Sequence, residues 1–188
     1  MLKAKTYLKP EEYLEIERKA EYKSEYFNGE MFALTGASKE HNIISTNITG
    51  ILFNKLRDKP CQVFHSDLRV KITSTGLYTY PDLVVVCGEQ KFEDDVLDTL
   101  LNPTLIIEIL SDSTESYDRG IKFVNYRQIK TLQEYALISQ KSIRIEKYLR
   151  QDESKWIFTE ENNPENFIEL SSINCSLLLK EVYLNIKF

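Results

Sequence analysis

Histidine and cysteine are scarce in this chain, and their scarcity limits its chemistry. Only His41 and His65 are present, which argues against a His-rich zinc or iron site. The three cysteines, Cys61, Cys87 and Cys175, are odd in number, widely spaced and set in apolar strand-like runs. They fit neither a disulfide framework nor a zinc-ligand spacing. Any resident metal is therefore expected to be held by oxygen, which means Mg²⁺ or Mn²⁺. Six glycines and five prolines are too few for a low-complexity or linker-rich chain. No run approaches the roughly 18 apolar residues of a membrane span, and Met1-Leu2-Lys3-Ala4-Lys5 leads into polar sequence rather than a signal core. The expectation is a cytoplasmic protein. There is also no excess of positive charge: the net charge is −5, so any contact with nucleic acid must be local.

What is present is a globular mixture, 42% apolar and 28% charged over 188 residues, the size of one domain spanning 1–188. Pro10 followed by Glu11, Glu12, Leu14, Ile16 and Arg18 predicts a short amphipathic helix with acids in its first turn. Asn28-Gly29, at the centre of an aromatic-rich stretch over 22–34, is a two-residue hairpin signal. Ser38 can cap a long helix reaching about Arg57, with Ile44, Ile48, Ile51, Leu52 and Leu56 along one stripe. Strand patterns follow at 62–65, 68–73 and 80–87, with a turn at Ser74-Thr75-Gly76. An acidic excursion over 88–102 has room for one short helix. Further strands are expected at 104–110, 134–139, 143–149, 156–159 and 167–170, and a helix over about 117–130. The order is that of an α/β domain, a mixed β-sheet flanked by helices.

Two carboxylates resist a bland account. Glu108 interrupts Leu105-Ile106-Ile107-Glu108-Ile109-Leu110, and Asp82 heads Pro81-Asp82-Leu83-Val84-Val85-Val86-Cys87. A lone carboxylate inside a buried strand costs several kcal/mol unless a cation or donors satisfy it. Strand alternation groups Asp82 with Val84 and Val86, and Glu108 with Ile106 and Leu110. Two such carboxylates suggest a shared divalent cation.

The chain resembles the PD-(D/E)XK nuclease superfamily, and more closely its Uma-two, restriction-endonuclease-like branch. The resemblance rests on Asn28-Gly29-Glu30, Glu40-His41-Asn42, Pro81-Asp82, Glu108-Ile109-Leu110-Ser111, Asp118-Arg119-Gly120-Ile121-Lys122, Tyr126 and Glu134-Tyr135. It implies a metal-dependent endonuclease acting on DNA, with Asp82 and Glu108 as catalytic metal ligands for Mg²⁺ or Mn²⁺. The superfamily places a lysine two residues after the glutamate; here that residue is Leu110. The resemblance implies that Lys122, on the following helix, supplies the catalytic cation instead. Glu30 and His41 are further site candidates, as third ligand and general base. Cutting both strands of a duplex needs two active sites unless one acts twice, so a homodimer is expected.

Simpler readings stand beside these. Asp82 can bond a turn, Glu108 can form a buried salt bridge, and Lys122 can pair with Asp118 one helical turn away. Lys71 is a rival cation. Glu30 can be the exposed end of the hairpin, His41 a surface residue, and Asp67 a partner for Arg69 or a turn cap. Arg119, Lys122, Arg127 and Lys130 can form a solvated helix face. Two alternative functions remain: a catalytically inactive nuclease-fold binding protein, and a hydrolase of another phosphate ester.

Overall fold

The computed structural model describes residues 7–188. Helix α1 (Pro10–Glu17) precedes a hairpin of β1 (Ser24–Phe27) and β2 (Glu30–Ala33). Asn28 and Gly29 join them with φ of 49° and 82°. This is the doubly left-handed turn that Asn-Gly favours and that matches strand twist. Helix α2 (Lys39–Leu56) follows, its N-cap Ser38 accepting a hydrogen bond from the His41 amide at 3.0 Å. Then come β3 (Cys61–His65), β4 (Arg69–Ile72), β5 (Leu77–Thr79), β6 (Leu83–Cys87), β7 (Thr99–Leu100) and β8 (Leu105–Leu110).

The next helical segment has three parts: α3 (Glu115–Tyr117), a π-helical turn (Asp118–Lys122) and α4 (Phe123–Tyr126). The chain continues through β9 (Glu134–Ser139), β10 (Ile145–Arg150), β11 (Trp156–Glu161) and β12 (Phe167–Leu170). It ends with a 3₁₀ turn (Ser171–Ile173), β13 (Cys175–Leu178) and α5 (Leu179–Val182). Among the described residues, no helix is long and apolar enough to cross a membrane.

The strands form a six-stranded mixed sheet, β11-β10-β9-β8-β6-β3, a five-stranded sheet, β2-β1-β5-β4-β7, and the β12-β13 pair. In the larger sheet β8 and β9 run parallel, and β6 is antiparallel to β8. A parallel pair requires a crossover, and the helical segment over 115–126 lies within it. One face of the sheet (Leu83, Val85, Leu105, Ile107, Ile109) packs with Ile44, Ile48, Leu52 and Leu56 of α2. Each such aliphatic side chain contributes about 1.5–3 kcal/mol on burial. The other face (Val84, Val86, Ile106, Leu110) packs against Val70, Ile72 and Leu77 of the smaller sheet and against Phe123 and Tyr126. Glu108, inside β8, and Asp82, just before β6, continue this second face.

Several sequence expectations need correction. The strand expected over 80–87 is interrupted by Tyr80-Pro81-Asp82. Leu77–Thr79 before it belongs to the smaller sheet, and Leu83–Cys87 after it to the larger. The stretch over 88–102 contains no helix; it supplies β7, parallel to β4. The helix expected to reach residue 130 ends at Tyr126. Cys61 and Cys87 do form a disulfide, with Cα atoms 4.0 Å apart. They are opposite residues in the β3–β6 register, a relation created by strand pairing and invisible in a 26-residue separation. Cys175 is free and buried.

Candidate functional site

Strand register brings the two carboxylates together. Leu83 pairs with Ile107, so one step further along the antiparallel ladder sets Asp82 opposite Glu108. Pro81 has no amide hydrogen, and the regular ladder stops here. Side chains replace it: the Ile109 amide donates to Asp82 Oδ2 at 2.7 Å, and the Asp82 amide donates to Glu108 Oε2 at 3.3 Å. Each carboxylate is thus fixed by backbone of the neighbouring strand.

Three further elements complete the arrangement. The first turn of α2 brings His41 Nε2 to 3.0 Å from Asp82 Oδ1. From the helical segment, Lys122 Nζ lies 2.8 Å from Glu108 Oε1 and 3.5 Å from Asp118 Oδ1, and Tyr126 donates to Glu108 Oε1 at 2.8 Å. Asp118, Lys122 and Tyr126 are spaced by four residues, so they lie on one helix face, all buried. The π-helical turn carries two of them; such turns recur at functional sites. From the smaller sheet, Glu25 of β1 lies 3.4 Å from Lys122 Nζ and accepts from the Thr79 hydroxyl. Glu25, His41, Asp82, Glu108, Asp118 and Lys122 line a cleft of about 850 Å³, bounded by the turn after β8 and the start of α2.

The charge in this cleft does not balance. Three carboxylates, Glu25, Glu108 and Asp118, surround one lysine, and a fourth, Asp82, faces Glu108 and is paired, among the described residues, with His41. Burial pushes the Glu108 carboxyl up to about 8; Lys122 pulls it back, while Asp118 and Asp82 push it further up. Asp118 is raised for the same reason, burial outweighing the pull of Lys122. Burial disfavours the Lys122 ammonium, but Glu108, Glu25 and Asp118 outweigh it and hold its proton well above the ordinary range. Both partners of the Glu108–Lys122 pair therefore shift toward holding protons, as expected where carboxylates outnumber cations.

The structure brings together Asp82, Glu108, Lys122 and His41. Glu30 is not among the residues lining the cleft. It opens β2 beside the hairpin turn, opposite Phe27. Glu25, on the partner strand, is the glutamate of this hairpin that enters the cleft. The sequence reading missed it, although the signal was the one used for Glu108: a carboxylate inside an aromatic, strand-like run, Ser24-Glu25-Tyr26-Phe27. Lys71 pairs with Glu93 away from the cleft. Asp67 meets Lys23 at 3.1 Å, and Arg69 meets Asp98 instead. Arg119 is held by Glu115 and Glu146, so the basic residues of the helix do not form one free face.

As donors, the pair Asp82 and Glu108 is hard and oxygen-only. Among the described residues, no three His, Cys, Asp or Glu side chains are gathered as a ready metal-ligand set. One or two carboxylates, with waters and substrate oxygens making up the rest, are the kind of ligand set Mg²⁺ uses.

The family model described as "Putative restriction endonuclease", Uma2, matches residues 10–179. The chain belongs to the Uma2 family. Two uncharacterized proteins of Synechocystis sp. are similar across nearly their whole length. One, slr1290, is 36% identical over 181 residues, covering 96% of this chain and 94% of the relative. The other, sll1609, is 39% identical over 160 residues, covering 85% and 90%. Among solved structures, a "putative nuclease belonging to DUF820" from Anabaena variabilis superposes with a TM-score of 0.76 at 17% identity, covering 94% of this chain and 97% of that one. The shared architecture is a mixed α/β fold.

Proposed function

We propose that this Uma2-family chain is an endonuclease that hydrolyses DNA phosphodiester bonds with Mg²⁺ or Mn²⁺ held by Asp82 and Glu108. The observation that carries the reading is the charge surplus: three buried carboxylates share one lysine at an open cleft, and a fourth, half-buried Asp82, faces one of them. A purely structural ion pair needs one carboxylate per cation, and every further buried carboxylate adds an uncompensated desolvation cost. A divalent ion offsets that surplus. When bound it supplies Lewis-acid stabilisation of the phosphate and lowers the pKa of the attacking water.

The chain's own residues would do the rest. The Ile109 amide and His41 fix the two oxygens of Asp82, while Tyr126 and the Asp82 amide fix those of Glu108. Lys122 has the position and charge to neutralise a phosphate oxygen as negative charge builds in the transition state. It stands in for the strand lysine that Leu110 replaces. The test is cleavage of supercoiled plasmid DNA with Mg²⁺ or Mn²⁺ against the same reaction in EDTA. No metal-dependent cleavage of any DNA form would sink the proposal.

The Lys122–Glu108 contact favours one second reading. An ammonium 2.8 Å from a carboxylate oxygen occupies that oxygen, which suits a catalytically inactive binding protein that keeps the fold. Mn²⁺ calorimetry separates the two readings only with cleavage assayed alongside it, because only the enzyme needs both metal binding and cleavage. The proposal includes a two-fold dimer acting on the two strands of a duplex. Light scattering that finds only the 22.0 kDa species, with and without DNA, would remove the dimer.

A further inference from the structure

Lys122 has more acceptors around it than one ion pair needs. Its ammonium lies 2.8 Å from Glu108 Oε1, 3.4 Å from Glu25 Oε1 and 3.5 Å from Asp118 Oδ1. All four residues are buried and line the cleft. An ammonium carries three hydrogens and no acceptor, so one hydrogen can turn to each carboxylate. Elsewhere in the sheet one carboxylate suffices: Lys147 forms its ion pair with Glu134, among the described residues, and with no second carboxylate. Two further buried carboxylates at Lys122 add a desolvation cost that simple pairing does not offset.

Glu25 and Asp118 are not placed as metal ligands. Among the described residues no three His, Cys, Asp or Glu side chains form a metal-ligand set, so neither joins Asp82 and Glu108 in one. Each faces the lysine from a separate element instead. Glu25 stands on β1, and the Thr79 hydroxyl donates to the same Oε1 that faces Lys122. Asp118 stands four residues before Lys122 in the π-helical turn.

The Asp82–Glu108 pair meanwhile presents a conflict to an incoming cation. Glu108 Oε1 accepts from the Tyr126 hydroxyl at 2.8 Å and faces the Lys122 ammonium at the same distance. Two cations on one carboxylate oxygen repel each other, so the ammonium has to leave that oxygen as a metal binds. A shift of about 0.5–1 Å brings it within hydrogen-bond distance of Glu25 or Asp118. We infer that Glu25 and Asp118 are positioning residues that receive the Lys122 ammonium when a divalent ion binds Asp82 and Glu108. The shift frees the hydrogen that faced Glu108 for a phosphate oxygen in the cleft. Lys122 is thus a counter-ion of Glu108 without metal and a phosphate donor with it. This rests on the reading of Asp82 and Glu108 as metal ligands, and it makes the Lys122–Glu108 contact a resting position rather than a block.

Two measurements on the full chain test it. The first is a double-mutant cycle read by Mn²⁺ calorimetry. With Lys122 present, Glu25→Gln and Asp118→Asn should each weaken Mn²⁺ binding about tenfold, because the ammonium then keeps to Glu108. In a Lys122→Ala background the same two substitutions should change it by less than about twofold. An equal loss in both backgrounds, the mark of missing charge or of a missing ligand, overturns the inference, and so does no loss in either. The second is NMR of the lysine ammonium groups during a Mg²⁺ titration of the parent chain, the Lys122 signal being the one that Lys122→Ala removes. Its coupling across the hydrogen bond should pass from the Glu108 carboxyl carbon to those of Glu25 and Asp118. Coupling that stays with Glu108 at saturating Mg²⁺ overturns the inference, and this result decides alone should the Glu25 or Asp118 variants not fold. A parent chain that binds no Mn²⁺ sinks the metal reading and this inference together. Mn²⁺ binding with a lysine that does not move sinks only the inference, and a lysine that moves in a chain that cuts no DNA sinks only the nuclease.

Discussion

Two buried glutamates on neighbouring strands of one sheet behave oppositely. Glu134 opens β9, is 0% exposed, and has its charge matched one for one by Lys147 at 3.1 Å. Its second oxygen accepts from the Ser172 amide at 3.1 Å and hydroxyl at 2.7 Å, and Lys147 donates onward to the Glu169 carbonyl. Every oxygen is satisfied, and the cluster ties the C-terminal segment to β9 and β10. Glu108, on the adjoining β8, shares its single lysine with Glu25 and Asp118 and faces Asp82 across the ladder. A balanced ionic cluster specifies packing; in the proposed function, the unbalanced one at the open cleft takes its positive charge from a metal ion.

The largest expected effect is on cleavage. Asp82→Ala and Glu108→Ala should each abolish Mn²⁺ binding in calorimetry and with it plasmid cutting. Lys122→Ala should lower the cleavage rate about 10²–10³-fold, the scale of one preorganised electrostatic contact. It should leave Mn²⁺ affinity nearly intact, because an ammonium is not a ligand. Near-parental cutting by Lys122→Ala would show that its charge serves packing, as that of Lys147 does.

Next in size is a stability contrast, read by urea titration without metal. Glu134→Ala leaves Lys147 buried without a carboxylate and should cost about 3–5 kcal/mol. Glu108→Ala relieves repulsion and leaves Lys122 between Glu25 and Asp118, so its cost should stay within about 1 kcal/mol. Equal losses at the two positions would erase the distinction.

A third prediction uses pH. The folded-state pKa of Glu108 lies above its unfolded value of 4.5, at about 8. Its contribution is therefore complete below 4.5 and is lost as pH rises through about 8. Metal-free thermal stability should decline across that window, Mg²⁺ should oppose the decline, and Glu108→Gln should flatten it. A metal-free chain whose stability rises across the window would contradict the surplus-charge account. The smallest effect belongs to Lys71, whose pair with Glu93 lies apart from the cleft. Lys71→Ala should leave cleavage within about twofold; a dead Lys71→Ala enzyme would move the working cation to another strand.

Much of this molecule was determined by local sequence, because local sequence acts through short-range backbone sterics and periodicity. Asn28-Gly29 closes its hairpin through positive φ, and Ser38 caps α2 through its own hydroxyl. Ile44, Ile48, Leu52 and Leu56 mark the buried face of α2, and Glu108 is conspicuous because no strand buries a carboxylate without cause. Tertiary structure alone decided the rest, since contacts between residues distant in sequence follow from register and crossover geometry. The step from Leu83–Ile107 to Asp82 and Glu108 puts the two carboxylates face to face. The packing of the smaller sheet brings Glu25 rather than Glu30 to Lys122. Strand pairing joins Cys61 to Cys87, and the end of α1 sets Glu17 under Tyr80. Sequence named the carboxylate that needed a partner; only the fold could count how many carboxylates would share one lysine.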